Sequence, residues 1–350
     1  MFKQVFNLSV LSVLLVLMGC MGGPVQAEKK GPMQEFIRIL EVGKPLSYRN
    51  LTIVPVYFSK PQDKGKYVTF EEALKQKWIE ITEMEGGRVP QVKITNHSKH
   101  MIYLMGGEIL TGCKQDRILA SDILLAPGTK DLLVPVFCVE QGRWNFTSSN
   151  FYSKENLGTF KLRSVAQTKA PSAQSEIWNQ IAAENRKMGV ATDSSAYQAA
   201  YDKEENKAEI ARIERTFQNV PHLYEDTTGV IIGLAGRIVS VDIFANEDLF
   251  KGQWPKILKS SALSSISCDL AGTITQKEAV ELLKRFFDLD YTRKPSIDLG
   301  VEYVYSDPSL NINSLTHEDK VVHLAGFPQE KERIEIIKEG QQDQRVKVIK

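Results

Sequence analysis

The stretch Leu51-Thr52-Ile53-Val54-Pro55-Val56-Tyr57-Phe58 decides the fold class of this chain. Rich in β-branched and aromatic side chains, it reads as a strand. Downstream, Thr69-Phe70-Glu71-Glu72 has the form of a capping box and predicts a short helix through Lys77. Strand pattern then returns. Val89 to Thr95 alternates with Val92 and Ile94 on one face, Asn96-His97-Ser98 reads as a turn, and Met101 to Leu104 is again strand. Ile118 to Leu125 and Asp131 to Val139 add two more, joined by Pro127-Gly128. Short strands between turn residues predict a sandwich-like or curled antiparallel sheet over residues 36–170.

The pattern changes at Pro171, after the Ser/Thr/Lys-rich stretch Ser164 to Ala170, which reads as a linker or exposed loop. Ile177, Trp178 and Ile181 recur at helical spacing. After a break at Gly189 to Ser195, a second helix runs from about Ala196 to Phe217 on the stripe Ile210, Ile213, Phe217. Residues 171–220 are therefore a helical hairpin, expected to cover a sheet face or to lid a cleft, with covering the commoner use. In a smaller α/β part, 221–328, Gly229 to Gly233 and Arg237 to Phe244 form a hairpin through Leu234-Ala235-Gly236. Asn246 caps a helix carrying Leu249, Phe250 and Trp254, with Pro255 restarting or kinking it. The capping box Thr275-Gln276-Lys277-Glu278 opens a helix to Phe287, and Val301 to Tyr305 and Val321 to Phe327 are strands. The charged tail 329–350 carries alternations at Ile334/Ile336 and Val346/Val348, read as an edge strand or loose chain. The class is α+β, with the second and first sheet parts packing as one module.

At the N-terminus, Lys3, the apolar run Val10 to Met18 and the small residues from Gly19 have the order of a signal segment, 1–27, followed by a tether, 28–35. The run is shorter than the about twenty residues of a spanning helix, so removal and export to the periplasm or beyond are expected. Val25-Gln26-Ala27 fits an ordinary peptidase site. Leu17-Met18-Gly19-Cys20 fits a lipobox in which acylated Cys20 would be the membrane link. With 44 Lys and Arg against 43 Asp and Glu, the chain lacks the basic excess of a nucleic-acid binder. Cys113, Cys138 and Cys268 remain after Cys20. Three thiols allow one bridge but read mainly as small buried side chains.

Familiar catalytic spacings are absent. Gly107 to Lys114 misses the phosphate loop by one residue and lacks its Ser or Thr. His97 and His100 sit in a turn with no ligand spacing around them, and nothing calls for a metal or a cofactor. What stands out is a polar cluster in strand-rich surroundings: Gly106-Gly107-Glu108, Lys114-Gln115-Asp116-Arg117 and Cys138-Val139-Glu140-Gln141-Gly142-Arg143-Trp144. Arg117 and Arg143 have the forked donors that clasp an anion, and Glu108 or Glu140 could act as base or acceptor. The candidate ligand residues are Glu108, Gln115, Arg117, Glu140, Arg143 and Trp144. The plainer reading pairs the charges with one another at a strand end, with Trp144 a lid on the core.

The same residues carry a resemblance. Pro55-Val56-Tyr57-Phe58, Gly107-Glu108-Ile109-Leu110 with Gln115-Asp116-Arg117, Val134-Pro135-Val136 with Cys138-Val139-Glu140 and Gly142-Arg143-Trp144, Gly233 to Phe244 and the Trp254 helix resemble a bacterial family, the ARG and rhodanese-phosphatase-superfamily-associated protein domain, first type. The resemblance spans about Phe36 to Phe327, and Cys113 departs from the small residue expected there. The name records gene neighbourhoods with ADP-ribosylglycohydrolases and rhodanese-like phosphatases, which implies a ligand of phosphate or ribose character. Two functions are expected from different classes. One is an envelope module that binds an anionic small molecule or a protein partner through the cluster. The other is a hydrolase of a phosphate- or ribose-containing substrate with Glu108 or Glu140 as general base, and Cys138 as packing or nucleophile.

Overall fold

The computed structural model describes residues 31–60, 67–84 and 90–329, and the backbone of 333–339 and 343–349. The expected signal segment with Cys20 and residues 28–30 of the expected tether lie outside the described residues. From Pro32 the chain is not a tether but a helix, Pro32–Arg38, whose first-turn proline gives up no intrahelical bond and whose Met33 and Phe36 are buried.

The α+β architecture is built on a nine-stranded antiparallel sheet. Its order runs Leu40–Val42, Leu51–Phe58, Thr227–Leu234, Arg237–Phe244, Lys320–Pro328, Leu310–His317, Val301–Asp307 and Tyr291–Pro295, with Leu46–Tyr48 also pairing on Leu51–Phe58. The decisive strand thus joins the C-terminal half: Val54 pairs with Ile231 and Ile53 with Ile232. Sequence division at 170 and 220 does not divide the sheet.

Leu51 to Phe58 is apolar almost continuously because both faces are covered. Leu51, Ile53, Val230 and Ile232 pack into one core with the long helix Glu247–Ile266 and the hairpin residues Ile177, Ile181, Ile210, Ile213 and Phe217. Val54, Val56, Ile231 and Val241 face a second core under Pro32–Arg38 and the helix Gln276–Phe287.

The N-terminal half forms two smaller, curled sheets. One has the order Phe151–Tyr152, Ile109–Gly112, Arg117–Leu119, Leu132–Cys138, Gln91–Asn96, Ile79–Glu83, all antiparallel. The other contains Ile123–Leu125, Met101–Leu104 and Tyr67–Thr69, the last pair parallel. Val92 and Ile94 are fully buried, as their alternation requires.

Several expectations change. Ile118 to Leu125 is two strands, because the Asp122 carboxylate turns aside to accept from the Gly106 amide at 2.7 Å. Ser164 to Ala170 is not a linker. It is mostly the end of a buried helix, Phe160–Thr168, capped by Thr159 and closed by left-handed Lys169. The second hairpin helix splits into Gln198–Asp202 and Glu204–Phe217 at extended Lys203. Pro255 does not restart its helix, which continues to Ile266. The short helix after Thr69 ends at Lys75 rather than Lys77. The tail pairs with itself, Arg333–Glu339 on Asp343–Ile349.

Both halves of the expected capping box at Thr275 form: Thr275 Oγ1 accepts from the Glu278 amide, and Glu278 Oε2 accepts from the Thr275 amide at 2.7 Å. Thr275→Ala should lower the unfolding free energy by about 1 kcal/mol while Thr275→Ser stays near wild type, as read by urea denaturation.

Candidate functional site

Strand pairing assembles the polar cluster. Cys138 lies opposite Arg117, and Leu110 opposite Arg117 on its other side. Residues 113–116 and 139–143 therefore leave the sheet as neighbouring turns. Gly112 at φ +121° and Cys113 at φ 49° make the tight reversal between Ile109–Gly112 and Arg117–Leu119.

Arg143 ties these turns together. Its Nε donates to Glu140 Oε2 at 2.6 Å and its Nη2 to Asp116 Oδ1 at 2.9 Å. Nη1 donates to the carbonyls of Cys113 and Asn145 and to Thr147 Oγ1. Glu140 is equally engaged, accepting from Ser194 Oγ at 3.1 Å on Oε1 and from the Asp116 amide on Oε2.

The break in the helical hairpin closes the site from the other side. The Gly142 amide bonds the Ser194 carbonyl, and the Tyr197 amide bonds that of Val139. Between these walls lies an open cleft of about 650 Å³, lined among others by Thr111, Asp116, Glu140, Arg143, Tyr152, Lys154, Ser194, Gln198, Asp202 and Lys203. The hairpin therefore both covers the core and walls a cleft.

Charge in the cleft is balanced. Arg143, Lys154 and Lys203 face Asp116, Glu140 and Asp202, three cations to three anions. Burial raises the Asp116 pKa, opposed by the Gly112 amide that bonds its Oδ1 and reinforced by the nearby Glu140. Its Oδ2 has no protein partner among the described residues, nor has buried Thr111 Oγ1.

The six predicted residues separate. Glu140 and Arg143 line the cleft. Gln115 does not; its amide props the Glu140 carbonyl at 2.9 Å, and its Oε1 accepts from Arg117. Arg117 is buried, 3.6 Å from Glu83, and bonds the Gln115 and Asp116 carbonyls, so it clasps nothing in the cleft. Glu108 points elsewhere, onto Lys256 of the long helix. Trp144 is about half exposed at 49%, with Lys114 Nζ 5.1 Å from its ring centre, and lids no core. Asp116, inside the cluster Lys114 to Arg117 but not among the six expected ligand residues, also lines the cleft.

The three described cysteines are free thiols. Burial pushes Cys113 up to about 11 and raises Cys138 too, which suits packing and withholds the thiolate a nucleophile needs. His97 meets Glu80 at 3.5 Å and His100 stacks on Trp78.

A second polar group lies deep between the sheets. Arg163 forks onto Asp242, with Nη1 3.0 Å from Oδ2 and Nη2 2.5 Å from Oδ1. His323 Nδ1 sits 2.7 Å from Asp122 Oδ2 and its Nε2 3.3 Å from Asp242 Oδ1. Neither this group nor Glu108–Lys256–Glu71 lines the cleft.

Comparison with known proteins adds one finding: the family model described as the ARG and Rhodanese-Phosphatase-superfamily-associated Protein domain matches residues 39–327. Searches of curated proteins and of solved structures returned no match.

Proposed function

The chain belongs to the ARG and Rhodanese-Phosphatase-superfamily-associated Protein domain family, and from that premise we propose that it is an exported binding module whose cleft takes a neutral, hydroxyl-rich small molecule such as a sugar or the ribose portion of a larger ligand. One observation carries this reading: Asp116 and Glu140 sit on a single Arg143 fork at the wall of the open cleft, with Asp116 Oδ2 left to accept from a ligand hydroxyl. The balanced lining offers no field that would select a net charge. Neither arginine offers an uncommitted fork to a bound anion, so the anion-clasp version has little support. Export rests on the order of residues 1–27, and the mass of the mature N-terminus would tell cleavage after Ala27 from acylated Cys20.

A hydrolase remains the second reading because Asp116 combines a raised pKa with a neighbouring carboxylate. The bases expected for it are poorly placed: Glu108 is away from the cleft, and both Glu140 oxygens are engaged.

Thermal shift of the exported form against ribose, ADP-ribose, neutral sugars and inorganic phosphate tests the proposal. A bound ligand at about 100 times its Kd stabilises the native state by about 2.7 kcal/mol. Asp116→Asn keeps an acceptor for the Gly112 amide and Arg143 but sets a donor where Oδ2 would accept a ligand hydroxyl, and should weaken a neutral ligand about tenfold. Stabilisation by phosphate alone, unaffected by Asp116→Asn, would contradict the reading. Turnover of a bound glycoside that stops in Asp116→Asn would make the protein a hydrolase.

A further inference from the structure

Three of the six large hydrophobic side chains exposed among the described residues, Trp144, Phe146 and Tyr152, belong to the chain segment that supplies the cleft residues Arg143, Thr147 and Tyr152. They include every aromatic in that set. Tyr152 and Arg143 line the cleft itself, and Trp144 follows Arg143 directly in the chain. At 69% exposure, Phe146 has no packing role that would account for an aromatic ring.

The rings stand on a fixed base. Arg143 Nη1 bonds the Asn145 carbonyl at 3.1 Å and Thr147 Oγ1 at 3.2 Å, and the Thr147 amide bonds the Cys113 carbonyl at 2.9 Å. Trp144 and Phe146 therefore flank a backbone carbonyl held by the same guanidinium that holds Asp116 and Glu140. Little conformational freedom of that loop remains to be lost when a ligand binds.

We infer that Trp144 and Phe146 extend the cleft into a track for a neutral polysaccharide chain, one sugar unit in the cleft and its neighbours stacked on the rings. This rests on the cleft being a site for hydroxyl-rich ligands. Sugars present apolar C–H faces that stack on aromatic rings and hydroxyl edges that bond carboxylates, which is the pairing of surfaces found here.

The test is calorimetric titration of the exported form with the monomer, dimer and tetramer of β-1,4-linked glucose and of N-acetylglucosamine. In one series, affinity should rise about tenfold or more from monomer to tetramer, the contribution of two stacked rings. The double variant Trp144→Ala/Phe146→Ala should lose that rise and keep monomer binding. Because both side chains are exposed, it should also keep the wild-type melting temperature. Monomer binding with no dependence on length overturns the track and leaves the cleft reading standing. Absence of binding by every sugar in both series, with no thermal shift by ribose or ADP-ribose either, overturns the track and the cleft reading together. Self-association that the double variant abolishes, with no response to sugars, overturns the track in favour of a second copy of the chain.

Discussion

Replacing Arg163 by Met lowers the unfolding free energy by about 3–5 kcal/mol, because it leaves two buried carboxylates with only one partner cation. Arg163, Asp242 and His323 are almost wholly inaccessible, and Asp122 is nearly so. Burial works against the charge on each, and in each the partners outweigh it. His323 holds Asp122 below the usual carboxylate range, Arg163 holds Asp242 well below it, and the two aspartates raise His323. The group is neutral with two cations and two anions, and it joins Gly106 and Asp122 of the N-terminal half to Asp242 and His323 of the large sheet. Gly107 belongs to it as well: at φ +97° it leaves room that a Cβ would take from the Arg163 stem. Two pH limits follow. The aspartates contribute stability above about pH 3.9, lost as pH falls through their depressed folded values. Raised His323 contributes stability fully present below about pH 6.5, lost as pH rises through its folded value. Urea unfolding of wild type and Arg163→Met near pH 6 measures the effect. A difference under about 1 kcal/mol would mean that the two aspartates find other compensation.

That group could not be read from the chain. Its members lie up to 201 residues apart, as with His323 and Asp122, and no local spacing links them. Local signals served better. Asn246 and Thr275 cap the helices they were expected to cap, because a cap bonds within three residues of itself. Ser164 to Ala170 misled because its composition is polar, whereas the helix there is fixed by Thr159 at its start and by Leu162 and Ala166 in the core. In the site, the Glu140–Arg143 pair was legible at a separation of three residues. The inward turn of Arg117 was not, since it depends on Cys138 pairing opposite it. Nor was the other wall, since nothing in Gly189 to Ser195 says which sheet edge the hairpin break will meet. Leu51 to Phe58 announced a strand, but its partner, Thr227–Leu234, is separated from it by the whole N-terminal sheet and the helical hairpin.

Lys256→Met produces a loss that grows with pH, and this distinguishes it from the Arg163 variant. Lys256 follows Pro255 in the long helix and meets Glu108 and Glu71 at once, the latter at 2.6 Å. One cation serves two carboxylates. Burial pushes Glu108 up to about 8, against the attraction of Lys256 and with the help of Glu71, and Glu108 Oε2 has no partner among the described residues. A carboxyl raised in the folded state contributes stability fully present below its unfolded value, about pH 4.3, and lost as pH rises through the folded one. Removing the cation raises Glu108 further, so Glu108 holds its proton in both proteins near pH 5, and the difference from wild type should grow only above about pH 8, where wild-type Glu108 ionises, by about 1.4 kcal/mol per pH unit. Glu108→Gln/Lys256→Met should recover a large part of it, because no buried charge then lacks a partner at the Glu108 position. Chemical denaturation of the three proteins at about pH 5 and about pH 9.5 is decisive. A penalty equal at both pH values, or a double variant no better than the single at the higher pH, would show that Lys256 acts through packing of its stem and not through the charge it brings to Glu108.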